Sequence, residues 1–552
     1  MRRYGLILTG AFLAAANAGP ALADPAPTAR FDYVDYHALN KAEALEPRQF
    51  RNPVLPGFHP DPSIVQVGDD FYVVTSTFAW FPGLPVFHSR DLVNWRQVGN
   101  AIDRPGQVDF AGLGTNRGLF APAIAHDGSR FWIANTCIEC GNNFVITADD
   151  PAGPWSNPKW LDFGGIDPSL YFEDDRAWIV YNDAPPGDPL YEGHRALWLQ
   201  ELDLVTMQMM PRRTLLVNGG LDLADQPVWA EGPHIYRVDG WYYLLAAEGG
   251  TADQHSQTIY RSRALEGPYE AGPLNPILTQ RGLSPERPDR VEATGHADFV
   301  QLADGSWWGV FLATRPFAGQ STLLGRETFL LPVRWEDGWP YFLRPGEAVP
   351  PVIGAPDLPA SAGTDWSAWR DEFDADALGL EWIGIRTPAA VQRAALLDGT
   401  LQLVPGSDGP GSLGKPAFVG RRMRHHEAQF ETQVDFAPTD QGQQAGLLAF
   451  VDESHFLSVG VELDEGERLV TVRRRAGEDE PEEGVVVASR MVPSAGPVGL
   501  RLRFEQGTVH AQLETGGVWQ QVGDAIHVEP LASVYAGLFT GLVVGPYAVG
   551  GD

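Results

Sequence analysis

Asp61-Pro62-Ser63-Ile64 is answered ten residues later by the aromatic run Phe71-Tyr72-Val73-Val74, and the same pair of phrases returns four more times before residue 345. The later openings are Ala121-Pro122-Ala123-Ile124, Asp167-Pro168-Ser169-Leu170, Glu231-Gly232-Pro233-His234-Ile235 and His296-Ala297-Asp298-Phe299-Val300. They are answered by Phe131-Trp132-Ile133-Ala134, Ala177-Trp178-Ile179-Val180, Trp241-Tyr242-Tyr243-Leu244 and Trp307-Trp308-Gly309-Val310, at offsets of 10, 10, 10 and 11 residues. Successive units start 60, 46, 64 and 65 residues apart, enough for four antiparallel strands and their loops, which is one propeller blade. Five units predict a five-bladed β-propeller over residues 51–345.

Composition agrees with this reading. Gly 61 and Pro 45 make close to a fifth of 552 residues, and aromatics are 11%. That favours turns and strands over long helices. With 44% hydrophobic and 20% charged residues, disorder, collagen and coiled coil are excluded. Beyond the propeller, five prolines between Arg344 and Gly363 predict a semi-rigid linker over residues 346–364. Alternation then returns: Leu500, Leu502 and Phe504 oppose Arg501 and Arg503, and Val509, Ala511 and Leu513 follow a turn near Gly507. Residues 365–552 read as a β-sandwich. The expected fold is therefore all-β, a five-bladed propeller followed by a β-sandwich.

At the amino end, Arg2 and Arg3 precede an apolar run from Leu6 to Ala16 and the small residues Ala21-Leu22-Ala23. Residues 1–23 read as a signal peptide, 24–50 as an N-terminal extension, and the destination as periplasmic or extracellular. No later stretch is long and apolar enough for a membrane span. A net charge of −31 repels nucleic acid and anionic membranes, and a neutral partner suits it best. Cys137 and Cys140 lack the second ligand pair a structural zinc needs and sit beside a strand, not at a helix start. A local disulfide is the favoured reading, two free thiols the other.

In a propeller the first strand of each blade lines the axis, so Asp61, Ala121, Asp167, Glu231 and His296 should face one small volume. Three are carboxylic acids. Converging acids suit glycoside hydrolysis, in which one carboxyl protonates the leaving oxygen while another activates water. If Asp167 stays ionised near Glu231, its charge raises the Glu231 pKa and keeps that acid protonated near neutral pH. Taken singly, Asp-Pro and Glu-Gly are also ordinary turn dipeptides.

The stretch Asn52-Pro53-Val54-Leu55-Pro56-Gly57-Phe58-His59-Pro60-Asp61-Pro62-Ser63 resembles the opening of glycoside hydrolase family 43, especially its β-xylosidases with an appended sandwich. Ser76-Thr77-Phe78-Ala79-Trp80-Phe81-Pro82-Gly83, Ala230-Glu231-Gly232-Pro233-His234, Ala247-Glu248-Gly249-Gly250-Thr251, Gly295-His296-Ala297 and Leu324-Gly325-Arg326-Glu327-Thr328 extend the likeness in family order. The resemblance implies an inverting hydrolase with Asp61 as general base, Glu231 as general acid and Asp167 as the residue that tunes and orients the acid. It also implies Arg326 on sugar hydroxyls, Phe78 and Phe120 as apolar walls, and His296 at the channel, either near a calcium or water cluster or as a hydrogen-bonded core histidine. Phe539-Thr540-Gly541 resembles a loop sent from the sandwich to the propeller mouth, although Leu538 and Leu542 would equally suit a sandwich core.

Phe120, where close relatives carry Trp, and the loop Asn135–Asn142 depart from the family pattern. They leave the choice between xyloside and arabinofuranoside open. The expected function is exo-acting release of terminal pentoses from xylo- or arabinoxylo-oligosaccharides, as a β-D-xylosidase with or without α-L-arabinofuranosidase activity. No cofactor is expected to be required, and a structural calcium in the channel is allowed. The alternatives are an arabinofuranosidase acting on polysaccharide side chains, a non-catalytic carbohydrate-binding propeller, and a retaining fructan-active enzyme.

Overall fold

The computed structural model describes residues 27–40, 43–317, 319, 321–387 and 393–550. The signal-peptide reading of residues 1–23 lies outside them. Apart from two 3-10 turns, every regular element among the described residues is a strand. Five antiparallel sheets follow one another along the chain, each a blade whose first strand is Ser63–Val67, Ala123–His126, Ile166–Glu173, Glu231–Val238 or Glu292–Gln301. These first strands touch in a closed circle, the fifth returning to the first.

Buried hydrogen bonds fasten that circle. Asp298 accepts from Ser63 Oγ at 2.7 Å, from Ile64 N at 2.9 Å and from Tyr236 OH at 2.5 Å, so one carboxylate joins three blades. Ser63 Oγ in turn accepts from Ile124 N at 3.0 Å. Asn52 clips the incoming chain to the last blade through both the N–H and the C=O of Leu330. Each satisfies a polar group that would be costly to bury alone.

The pairing register refines the repeat. Ser63, Ala123, Ser169, His234 and Asp298 stand opposite Val74, Ala134, Val180, Leu245 and Val310, so they are equivalent. Two residues earlier lie Asp61, Ala121, Asp167, Gly232 and His296. Glu231 is therefore one residue ahead of the ring to which the sequence assigns it. Its own ring holds Pro60, Phe120, Ile166 and Gly295. Both rings border one shared bulge: the ladders of blades three to five slip at Ile166/Ser169, Glu231/His234 and Gly295/Asp298. The extra residue takes a left-handed backbone, with φ of 52° at Asp61, 54° at Asp167, 56° at Gly232 and 51° at His296. Bulges of this kind re-aim side chains next to active sites. In the fourth blade the bulged residue must be glycine, because a Cβ there would come within 2.9 Å of the His296 ring.

The sandwich has a nine-stranded and a seven-stranded sheet. The alternation around residue 500 lies where expected: Val498–Glu505 pairs with Thr508–Thr515, with Leu500, Leu502 and Phe504 fully buried. Two boundaries need correction. The supposed N-terminal extension contains Ala29–Ala38, a strand inside the nine-stranded sheet that pairs with Thr400–Leu403, Ala428–Asp435 and Ala368–Asp371. Its alternating Phe31, Val34 and Tyr36 are completely buried in the sandwich core. The proline-rich linker is not a free spacer either. Val352–Gly354 pairs with Gln49–Arg51, Val349 is buried, and Ser361 and Thr364 are bonded to Asp91 and Trp95 of the first blade.

Propeller and sandwich share a core of their own. Phe58, Phe78 and Trp80 pack with Ile383, Ile385, Phe418, Phe450 and Phe456. Gly384–Ile385 forms a two-stranded sheet with Trp80–Phe81. Glu453 accepts from Thr115 N and Oγ1 and pairs with Arg386, whose own N–H donates to Ala79 O at 2.8 Å. Gly325 and Gly541 lie back to back, and a Cβ on Gly541 would meet Leu324 O at 2.4 Å. Such contact brings the chain end near residue 540 up to the propeller mouth.

Candidate active site

A cavity of about 220 Å³ opens at the propeller mouth, with Asp61, Asp167 and Glu231 in its lining. His296, Arg326, Phe78, Phe120 and Phe539 also line it, so the structure brings together every catalytic and binding residue singled out from the sequence. Phe539 is not a sandwich core residue. Its ring lies 5.5 Å from Phe78 and 5.6 Å from Phe120, and Phe78 and Phe120 are themselves 5.2 Å apart. Three phenyl groups thus form one apolar corner, in which Phe78 meets Phe120 and Phe539 edge to face, as aromatic quadrupoles prefer.

Asp61 is 4% exposed and fully engaged. Arg326 Nη1 donates to its Oδ1 at 2.9 Å and Ser76 Oγ donates to its Oδ2 at 2.6 Å. Arg326 is itself stacked near Phe539, at 5.2 Å, and Phe78, at 5.9 Å. Its nearest task is therefore to hold the Asp61 carboxylate, which the sequence reading did not assign to it. Among the described residues no comparable side-chain bond holds Glu231. Burial raises its pKa well above the ordinary carboxylate value, and the charges of Asp167 and Asp61 raise it further. Asp167 accepts from Gly232 N at 3.3 Å, which ties it to the residue after Glu231.

The expectation that Asp167 simply stays ionised needs revision. Burial, followed by repulsion from Asp61, lifts Asp167 to about 7, so it and Glu231 titrate as a coupled pair. Desolvation, more than the neighbour's charge, keeps protons on this pair. Both carboxyls are buried, Asp167 with 6% and Glu231 with 7% of its surface exposed.

Burial pushes His296 down to about 4, so the ring is neutral at ordinary pH, with Nδ1 4.0 Å from Asp61 Oδ1. Among the described residues no three His, Cys, Asp or Glu side chains gather to hold a metal. Calcium needs six to eight oxygens, and an imidazole facing one carboxylate already shared by Arg326 and Ser76 does not fit it.

Several lining residues carried no signal in the sequence: Arg117, Asn182, Arg195 and Trp229. All sit on loops or strand ends outside the repeat. Cys137 and Cys140 are joined as a disulfide. Between them Glu139 reaches Arg117 at 3.2 Å, so the unusual loop touches the cavity through that pair. Trp178, Trp241 and Trp307 stay in the blades, as the strand pattern implied.

A propeller whose axial cavity holds an arginine-bonded carboxyl together with a buried one whose pKa burial raises is the architecture of a carboxyl-dependent glycoside hydrolase. The chain belongs to glycosyl hydrolases family 43, whose family model matches residues 50–340, and residues 370–552 match the β-xylosidase C-terminal concanavalin A-like domain. It is 35% identical over 513 residues to a non-reducing end α-L-arabinofuranosidase of Bacteroides ovatus, covering 92% of each chain. It is 34% identical to a xylosidase/arabinosidase of Butyrivibrio fibrisolvens, over 90% of this chain and 95% of the other. The crystal structure of a xylan β-1,4-xylosidase from Bacillus halodurans superposes with a TM-score of 0.82 at 33% identity, covering 91% of this chain and 96% of that one.

Proposed function

We propose that this glycoside hydrolase removes single terminal pentoses from xylan-derived oligosaccharides with inversion, as a β-D-xylosidase that also accepts α-L-arabinofuranosides. The observation that carries the reading is the phenyl-walled cavity of about 220 Å³ over three buried carboxyls, a volume that suits one terminal pentose. Relatives named for both pentosides support the pairing of activities. A non-catalytic propeller would have no use for a buried acid with a raised pKa in the same cavity as an arginine-bonded carboxyl.

In the proposed reaction Asp61, held by Arg326 and Ser76, takes the proton of the attacking water. Glu231, kept protonated by burial, gives its proton to the leaving oxygen, and Asp167 orients and tunes it. Water attacks from the face opposite the leaving group, so a β-xyloside should release α-xylose. Nitrophenyl β-D-xyloside and nitrophenyl α-L-arabinofuranoside assayed side by side test the substrate. NMR of the first-formed sugar tests the stereochemistry, and an initial β-xylose signal would refute inversion.

Asp167→Asn should move the alkaline limb of the kcat/KM profile to lower pH. Glu231 works protonated, and its raised pKa sets how high the pH can go before that proton is lost; removing a neighbouring negative charge lowers that pKa. An unmoved or raised limb would remove Asp167 from the role of tuner.

We also propose export to an oxidising compartment. The basic-apolar start of the sequence and the Cys137–Cys140 disulfide both support it.

A further inference from the structure

The general acid must face the leaving oxygen, so the side chains beside Glu231 and away from Asp61 face the sugar that is released. Two residues of the lining, one of them an arginine whose charge acts on Glu231, have no part in the mechanism above. Arg195, at the end of strand Ala196–Asp203, lines the cavity half-buried. The other two arginines of the lining are paired, Arg326 with Asp61 and Arg117 with Glu139. Among the described residues Arg195 has neither an ion-pair nor a side-chain hydrogen-bond partner. Trp229, two residues before Glu231, lines the same cavity with 37% of its surface exposed. Its backbone is left-handed, φ 51°, and its N–H donates to Gly193 O at 2.9 Å. A bulky residue held in that conformation and partly exposed at the cavity suits stacking against a sugar ring.

The arginine poses an electrostatic problem. Its positive charge acts on Glu231 and favours the ionised carboxylate, against the needs of a general acid. A sugar hydroxyl bound to the guanidinium would leave that charge in place. A carboxylate would cancel it, and its two oxygens match the guanidinium fork. We propose that Arg195 and Trp229 form a leaving-group subsite that selects oligosaccharides carrying a uronic acid on the portion released. The uronate restores the acid's protonation as it binds, so recognition and catalysis are coupled. This deepens the terminal-pentose reading and rests on it. The overall charge of −31 favours neutral partners at long range, and the selection is confined to the one arginine of the cavity lining that has no carboxylate partner among the described residues.

The test compares two xylo-oligosaccharides of equal length, one bare and one with a 4-O-methylglucuronic acid on the residue next to the terminal xylose. The wild-type ratio of kcat/KM, acidic over bare, should be roughly tenfold or more, the worth of one charge-assisted pair. It should shrink with added salt. Arg195→Gln should bring the ratio to one or below, and Arg195→Lys should keep part of it. Trp229→Ala should slow both substrates roughly tenfold and leave the ratio alone. A wild-type ratio at or below one, or a ratio that survives Arg195→Gln, overturns the subsite while terminal pentose release stands. If no pentose is released from the bare oligosaccharide or from aryl pentosides, both readings fall.

Discussion

Replacing Asp61 with Ala is expected to lower kcat/KM by roughly 10²–10⁴-fold on xylobiose and on nitrophenyl xyloside alike, because the attacking water then has no base. Arg326 and Ser76 would also lose the acceptor they share, at 2.9 and 2.6 Å. Glu231→Ala should behave differently. On xylobiose, whose leaving hydroxyl needs a proton, the loss should be of the same order. On the nitrophenyl glycoside, whose leaving group departs as an anion, most of the rate should survive. Assaying both variants on both substrates reads out the roles directly. Equal losses on the two substrates for Glu231→Ala would deny it the acid's role, and a selective loss for Asp61→Ala would deny that residue the base's.

The second large effect concerns the sandwich. A chain of residues 45–360 keeps all five blades but loses Phe539 from the cavity and uncovers Phe58, Phe78 and Trp80, buried against the sandwich. It also loses the Glu453 contacts to Thr115 and the Gly384–Ile385 strand on Trp80–Phe81. Fully burying one such aromatic is worth roughly 1.5–3 kcal/mol, so several exposed together should make the fragment aggregate or bind apolar dyes. Turnover of xylobiose should be lost. Phe539→Ala in the full chain isolates the wall from the stability: kcat/KM should fall roughly tenfold while the fold persists. A soluble 45–360 fragment with full turnover, or an unimpaired Phe539→Ala enzyme, would make the sandwich an accessory domain. The cut must fall near residue 45, since a fragment starting at 24 would carry a stranded sandwich strand, Ala29–Ala38.

Much of this was legible along the chain because propeller blades are local. Each of the five units pairs with itself, strand to next strand, so a short-range pattern of polar turn and aromatic run reports it. The three acids stood out for the same reason, being attached to that pattern. Arg195 and Trp229 did not, since they sit on connections where no period exists. Ala29–Ala38 was misread because its partners lie hundreds of residues away, and ten residues of alternation do not say which sheet they will join.

From sequence alone came the all-β class, the blade count, the sandwich and the identity of the carboxyls, all properties of spacing and residue type. Tertiary structure alone decided that Glu231 stands one residue out of ring with Asp61 and Asp167, because a bulge is a matter of pairing, not of composition. It also decided that Asp167 shares its protons with Glu231, because burial and convergence, not sequence distance, set the electrostatic cost of a charge. And it placed Phe539 against Phe78 and Phe120, since the wall of this cavity comes from two domains that meet only when both are folded.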